Sequence, residues 1–152
     1  MNRLPISVCF ISGAESVRIG RALASVAEWA AEIIVVLNQE VHDGTEEIAR
    51  KHGAIVHRHP WRGFREQKNL VSSYASQPWI LQLDADEEVS AELRDELFRF
   101  FDGEQERFAG ASFPRSGVTR ADHPRRLVGS PCARREPHRQ TMGRRSRRTI
   151  ER

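Results

Sequence analysis

Hydrophobic and polar positions alternate between two kinds of pattern along the first three quarters of the chain. ISVCFIS (6–12), EIIVVL (32–37), AIVHR (54–58) and WILQLDA (79–85) are short apolar runs rich in β-formers. Continuous runs of this length predict strands covered on both faces. Between them the period changes. From Glu15 to Trp29, residues Val17, Leu23 and Val26, with Ile19, Ala22 and Ala30, share one broad helical face. DGTEEIARKHG (43–53) begins with turn residues and acids and closes on Lys51, His52 and Gly53, an order that suits a helix dipole and a glycine C-cap. FREQKNLVSSYAS (64–76) predicts a third helix. A fourth, SAELRDELFRFF (90–101), has Ser90 as N-cap and a stripe of Leu93, Leu97 and Phe100 or Phe101. FAGASFP (108–114) predicts a fifth strand. Regular strand–helix alternation specifies an α/β domain with a mostly parallel sheet.

The alternation stops after Pro114. Residues 115–152 carry 12 arginines, no lysine and three acids, a balance of +9, whereas residues 1–114 carry 12 basic and 18 acidic side chains, a balance of −6. The apolar residues of the basic stretch are isolated or paired, too few to offset the entropy of ordering it. It is expected to be disordered, so that residues 1–114 form the folded domain. The sudden change to Arg, Pro, Gly and Ser is also what GC-rich DNA encodes when read out of frame, and the preferred expectation is a frameshifted or truncated gene. A genuine basic extension for phosphate-bearing partners is the alternative, but no aromatic residue follows Phe113 to stack on nucleic-acid bases.

Composition narrows the class without specifying the chemistry. At 152 residues the chain is long enough for one domain with a real core. It has no apolar run that would span a bilayer, and the first residues read as a strand, not a leader. Cys9 and Cys132 stand far apart in unlike surroundings, which makes a reducing cytoplasm the default. His42, His57 and His59 lack metal-site spacing with another ligand and read as surface or loop residues.

The candidate chemistry lies where the fourth strand ends, in DADEE (84–88). Ligands of parallel sheets bind beyond the carboxyl ends of strands, and residues two apart on an extended chain point the same way. Asp84 and Asp86 are therefore expected to converge. Two carboxylates so placed call for a proton or a cation between them, and a hard divalent ion, Mg²⁺ or Mn²⁺, completed by water and phosphate, is the natural occupant. An EF-hand is excluded, because Val89 stands where the loop needs glycine. An aspartyl-nucleophile phosphohydrolase fits poorly, since Glu88 takes the place of its Thr or Val. Glu88 and Glu92 are read as solvated acids around a helix start.

Four segments in order, ISVCFISGAE, EIIVVLN with DGTEEIARKHGA, HPWRGFREQKN and WILQLDADEEVSAEL, resemble family 2 glycosyltransferases of the GT-A fold. The similarity covers roughly residues 4–114 and is nearer to the lipopolysaccharide-core glucosyltransferase branch. It implies a Rossmann-like half that binds a nucleotide sugar, UDP-linked by preference, and transfers the sugar with inversion to a saccharide or lipid-linked acceptor of the cell envelope. By the same resemblance Asp84 and Asp86 form the metal-binding DxD pair, Glu15 receives the base or ribose, and Lys68 and Asn69 help hold the donor. Peripheral association with the inner membrane follows from such an acceptor. Where the family commonly has Asp after its second strand, this chain has Leu37, with Asn38 or Glu40 as substitutes and Asp43 as either helix cap or ligand. Trp61 and Phe64 line the donor site or pack the loop, and packing is the preferred reading. No catalytic base is found after Pro114, which leaves a non-catalytic donor-binding remnant as the runner-up.

Overall fold

The computed structural model of the chain describes residues 3–103, 110–113 and 125–129. In chain order the elements are β1 (Leu4–Ser12), α1 (Ile19–Ala27), β2 (Ala30–Asn38), α2 (Thr45–Lys51), β3 (Ile55–His59), α3 (Phe64–Ser73), β4 (Trp79–Asp84), α4 (Ala91–Phe101), β5 (Gly110–Phe113) and β6 (Arg125–Gly129). The six strands form one sheet in the order β3-β2-β1-β4-β6-β5. The first four are parallel; β6 runs antiparallel to both β4 and β5.

Each side of the sheet follows from strand parity. On β1, Ile6, Val8 and Phe10 point into the larger core with Ile33, Val35 and Leu37 of β2 and Leu81 and Leu83 of β4. Ile19, Leu23 and Val26 of α1, Ala49 of α2 and Leu97 of α4 close that side. Cys9 and Ile11 point the other way, with Ile34 and Val36, and meet Val71 of α3. The result is three layers, helix–sheet–helix. Each fully buried Leu, Ile or Phe contributes about 1.5–3 kcal/mol. Burial pushes the Cys9 thiol up to about 12, with help from the nearby Glu32 charge, so it packs as a small apolar group.

Local signals act as the sequence predicts at two helix ends. Ser90 caps α4, its hydroxyl accepting from the Leu93 amide at 3.2 Å. Gly53 takes φ 80 after α2, which lets the amides of Gly53 and Ala54 reach the carbonyls of Arg50 and Ala49. The first helix differs. It begins at Ile19, not near Glu15, and Val17 is 91% exposed, not part of the buried face. Residues 13–18 are held as a loop by bonds to the start of α2, and these override the helical period.

The second difference is β6. It lies within the stretch expected to be disordered, yet Leu127 is fully buried opposite Leu81. Its signal is non-local: two apolar residues in an arginine run become a strand because β4 and β5 offer unpaired edges on both sides. The remainder of 115–152 lies outside the described residues. If β6 is part of the cooperative core, Leu127→Ala will lower the unfolding free energy by about 2–4 kcal/mol in urea titrations. Val128→Ala, next to it and half exposed, will cost less than about 1 kcal/mol.

Candidate functional site

The chain leaves β1 toward β2 and β3, then returns to place β4 on the opposite side of β1. Connections that diverge in this way open a crevice beyond the carboxyl ends of β1 and β4. Three loops border it: residues 13–18 after β1, 39–44 after β2 and 85–90 after β4.

β4 supplies the central groups. Its exposure alternates, with Ile80, Gln82 and Asp84 on the α3 side and Trp79, Leu81 and Leu83 in the larger core. The Gln82 amide donates to the Lys68 carbonyl of α3 at 2.9 Å and to Ser72 Oγ at 2.6 Å. Ser72 Oγ in turn donates to the Lys68 carbonyl at 2.9 Å. One polar side chain in an otherwise apolar strand thus pins the middle of α3 to β4. Two residues further along the same face, Asp84 Oδ1 lies 3.2 Å from Lys68 Nζ. Lys68 and Asp84, read from separate motifs, are neighbours in space.

β4 ends at Asp84, and Ala85–Asp86 form a turn. The extended geometry from which Asp84 and Asp86 were expected to converge therefore stops one residue too early. Glu87 closes the turn by donating its amide to the Asp84 carbonyl at 3.0 Å and accepting from the Asp84 amide at 2.9 Å. Asp86 is exposed at its outer side. Val89 is buried, and its amide donates to Ser25 Oγ of α1 at 3.0 Å, which ties the loop to the body of the fold. Glu88 pairs loosely with Arg21 at 3.5 Å. Glu92 lies in the first turn of α4, its carboxyl held below the ordinary range by hydrogen bonds from its own amide and from Ser90.

The other expected residues are placed as follows. Glu15 lies in the loop after β1 and pairs with Arg18 at 2.8 Å. Its amide donates to Thr45 Oγ1 at 3.0 Å. Asn38 ends β2, and its side-chain oxygen accepts from the Glu40 amide at 3.3 Å, a local turn bond. Asn69 is exposed on α3. Trp61 and Phe64 meet edge to face, with ring centroids 5.0 Å apart, and both remain exposed. They pack on each other at the start of α3. The histidines expected on the surface are structural in part. His57 stacks on Tyr74 at 3.9 Å, and His59 shares a hydrogen bond with the Tyr74 hydroxyl at 2.7 Å.

Two site-shaping residues escaped the sequence reading. Thr45, buried at the start of α2, joins Glu15 to Asp43. Gln82 was signalled by being the one polar position inside the WILQL run, at the strand period from Asp84. Among the described residues there is no group of three or more His, Cys, Asp or Glu side chains that could hold a metal ion. At this rim Asp84 faces a cation, Lys68, while Asp86 lies beyond the turn, so a divalent ion held here would take most of its donors from water and phosphate, the way Mg²⁺ is usually held. The lysine ammonium against Asp84 shows that the carboxylate accepts a cation there.

Comparison with known proteins bears on the family and the fold. The family model described as glycosyl transferase family 2 matches residues 7–151. An uncharacterized glycosyltransferase of Rickettsia conorii is 44% identical over 96 residues, covering 63% of this chain and 34% of its own. The lipopolysaccharide core biosynthesis glycosyltransferase LpsC of Rhizobium meliloti is 33% identical over 100 residues, 62% of this chain and 36% of its own. The chain thus spans about a third of the length of these curated relatives. Among solved structures, TarS of S. aureus in complex with UDP-GlcNAc superposes with a TM-score of 0.62 at 19% identity, over 82% of this chain and 37% of that one. The mannosyltransferase PcManGT of Pyrobaculum calidifontis, in complex with GDP-Man and Mn²⁺, gives 0.60 at 16% identity, over 76% and 37%. At these identities the two structures share the fold.

Asp43 yields a test of how the rim is braced. Its Oδ1 accepts from the Thr45 hydroxyl and amide, and its Oδ2 from the Ser16 amide at 3.1 Å. Desolvation opposes ionisation, but the bonds from Thr45 and Ser16 outweigh it and hold the carboxyl at about 2, below its ordinary 3.8. A depressed folded-state value means that the stabilisation is complete above about pH 4 and is lost as pH falls toward 2. Asp43 is exposed, which keeps the effect small. Asp43→Ala is expected to cost about 1 kcal/mol at pH 7 in urea unfolding, with the gap to wild type narrowing steadily below pH 4.

Proposed function

The chain belongs to glycosyl transferase family 2, and from that premise we propose that it takes part in moving a sugar from a nucleotide-sugar donor, a UDP-sugar by preference, to a saccharide or lipid-linked acceptor of lipopolysaccharide type. The observation that carries this reading is Asp84, a carboxylate held at the carboxyl rim of β4 beside the switch point, with the Lys68 ammonium 3.2 Å away. A carboxylate and an ammonium so placed can serve the two ends of a metal–diphosphate group. The neighbours crystallised with UDP-GlcNAc and with GDP-Man and Mn²⁺ support the donor class. LpsC supports the acceptor class.

The reaction breaks the bond between the anomeric carbon and the diphosphate oxygen. It forms a bond from an acceptor hydroxyl to the same carbon, inverting it, while the hydroxyl proton passes to a base. Bound Mg²⁺ or Mn²⁺ would act as a Lewis acid on the departing diphosphate. Asp84 and Asp86 would hold that ion. Lys68 offers the diphosphate a compact positive charge on a flexible stem. Gln82 keeps Lys68 at the right height by fixing its backbone to β4. Glu15 and Asn38, at the exits of β1 and β2, would receive the nucleoside, with Asn69 on α3 helping to hold the donor. No described residue is assigned the role of base. On this reading the protein works in the cytoplasm, at the inner face of the membrane that presents the acceptor. No described helix is long and apolar enough to cross that membrane.

Calorimetry with a panel of UDP-sugars, with and without Mn²⁺, tests the reading. Metal-dependent binding is expected, weakened about tenfold or more by Asp86→Ala, since even outer-shell changes at metal sites cost that much. Binding without transfer to any acceptor would identify a donor-binding unit that lacks catalysis. Indifference to every nucleotide sugar, with and without metal, would overturn the proposal.

A further inference from the structure

The ion pair at the rim joins a residue from the metal-binding motif to a residue from the donor-binding motif. Asp84 and Lys68 come from different elements, and their side chains are 35% and 30% exposed. The pair is thus shielded but within reach of an incoming ligand. Gln82 and Ser72 fix the Lys68 backbone, so the lysine moves by rotating its four-carbon stem while α3 stays in place.

We propose that Lys68 is a resident cation that occupies Asp84 until a metal–diphosphate displaces it, making metal and nucleotide bind in synergy. This deepens the donor-binding reading and rests on it. A divalent ion arriving alone must evict the ammonium, and the freed charge then needs another anion and repels the ion at short range. A metal arriving with a diphosphate supplies that anion. The displaced ammonium turns from the carboxylate to a phosphate oxygen, and each charge keeps a partner. Coupling of this kind is reciprocal: the nucleotide tightens the metal by the same factor as the metal tightens the nucleotide. The arrangement also leaves Asp84 paired between turnovers, so the empty site need not hold its carboxylates against one another.

Mn²⁺ binding, followed by the relaxation of solvent water protons with and without UDP, reads this directly. In the absence of nucleotide, Lys68→Met is expected to bind Mn²⁺ about two- to fivefold more tightly than wild type, the range that a partly exposed ion pair supports. With UDP present that advantage should vanish or reverse, and the enhancement of Mn²⁺ affinity by UDP should shrink accordingly. Lys68→Arg, which keeps the charge, should follow wild type. Arg65→Met, which removes an exposed charge from the same helix, should leave both affinities within twofold or so of wild type. A Lys68→Met protein that binds free Mn²⁺ no more tightly than wild type overturns the proposal, as does a UDP enhancement unchanged by the substitution. If Mn²⁺ alone tightens as expected but UDP binds to none of the proteins, the competition for Asp84 stands and the donor reading fails. If UDP binds with metal while free Mn²⁺ is indifferent to Lys68→Met, the donor reading stands and this inference fails.

Discussion

The structure depends on β1 being covered on both faces and paired on both edges. Its backbone is hydrogen-bonded to β2 on one side and to β4 on the other, while its side chains divide between two apolar clusters. A strand in that position has no free direction except along its own axis, and only its two ends reach water. With β2 and β4 parallel to it, all three carboxyl ends emerge together. The chain must leave them by loops, and any polar group placed just after an apolar run collects at one rim. Asp84, Asn38 and Glu15 share that rim because β1 is buried. No attraction between them is needed.

The two ends of the sheet treat polar groups differently, most clearly on the side covered by α3. At the amino ends, Ser7 donates to the Glu32 carboxylate, which also accepts from the Ser76 amide at 2.9 Å and hydroxyl at 3.0 Å. The Gln77 amide completes the group by donating to Ser7 Oγ at 3.1 Å. That network joins β1, β2 and the entry to β4 and spends its polar atoms on one another. At the carboxyl ends the same face carries Gln82 and Asp84, and beyond Gln82 the partners are side-chain charges on flexible stems. A closed network holds strands together. An ion pair with partly exposed members can be exchanged for a ligand, and on the proposed reading the donor binds at that second end.

Residues 4–101 could be read well from the sequence because their strands are continuous apolar runs and their helices keep one period with local caps, as at Ser90 and Gly53. The errors came where tertiary contact outweighs local pattern. Val17 fits the helical face of α1 by spacing, yet bonds from Asp43 and Thr45 hold its loop away from the helix. Leu127 and Val128 carry too little apolar content to announce a strand, and only an edge offered by β4, 46 residues earlier at Leu81, makes them one. At the candidate site, residue types pointed to the rim where β4 ends, but spacing could not reveal that the strand ends at Asp84. Nor could it show that Lys68, sixteen positions upstream, would face it.

The crowding of four acids at 84–88 is resolved by giving each a different environment. Glu87 folds back onto the backbone of its own turn, and Glu88 leans toward Arg21 on α1. Asp84 faces Lys68, while Asp86 stands in solvent beyond the turn. Two of the four thus face a described cation, Lys68 for Asp84 and Arg21 for Glu88. Carboxylates gathered at a rim favour cations, so on the proposed reading an anionic donor is best received together with positive charge. On that reading the acids that would hold the metal also favour its arrival, and Lys68, already seated against Asp84, is the group that would change partners when it comes.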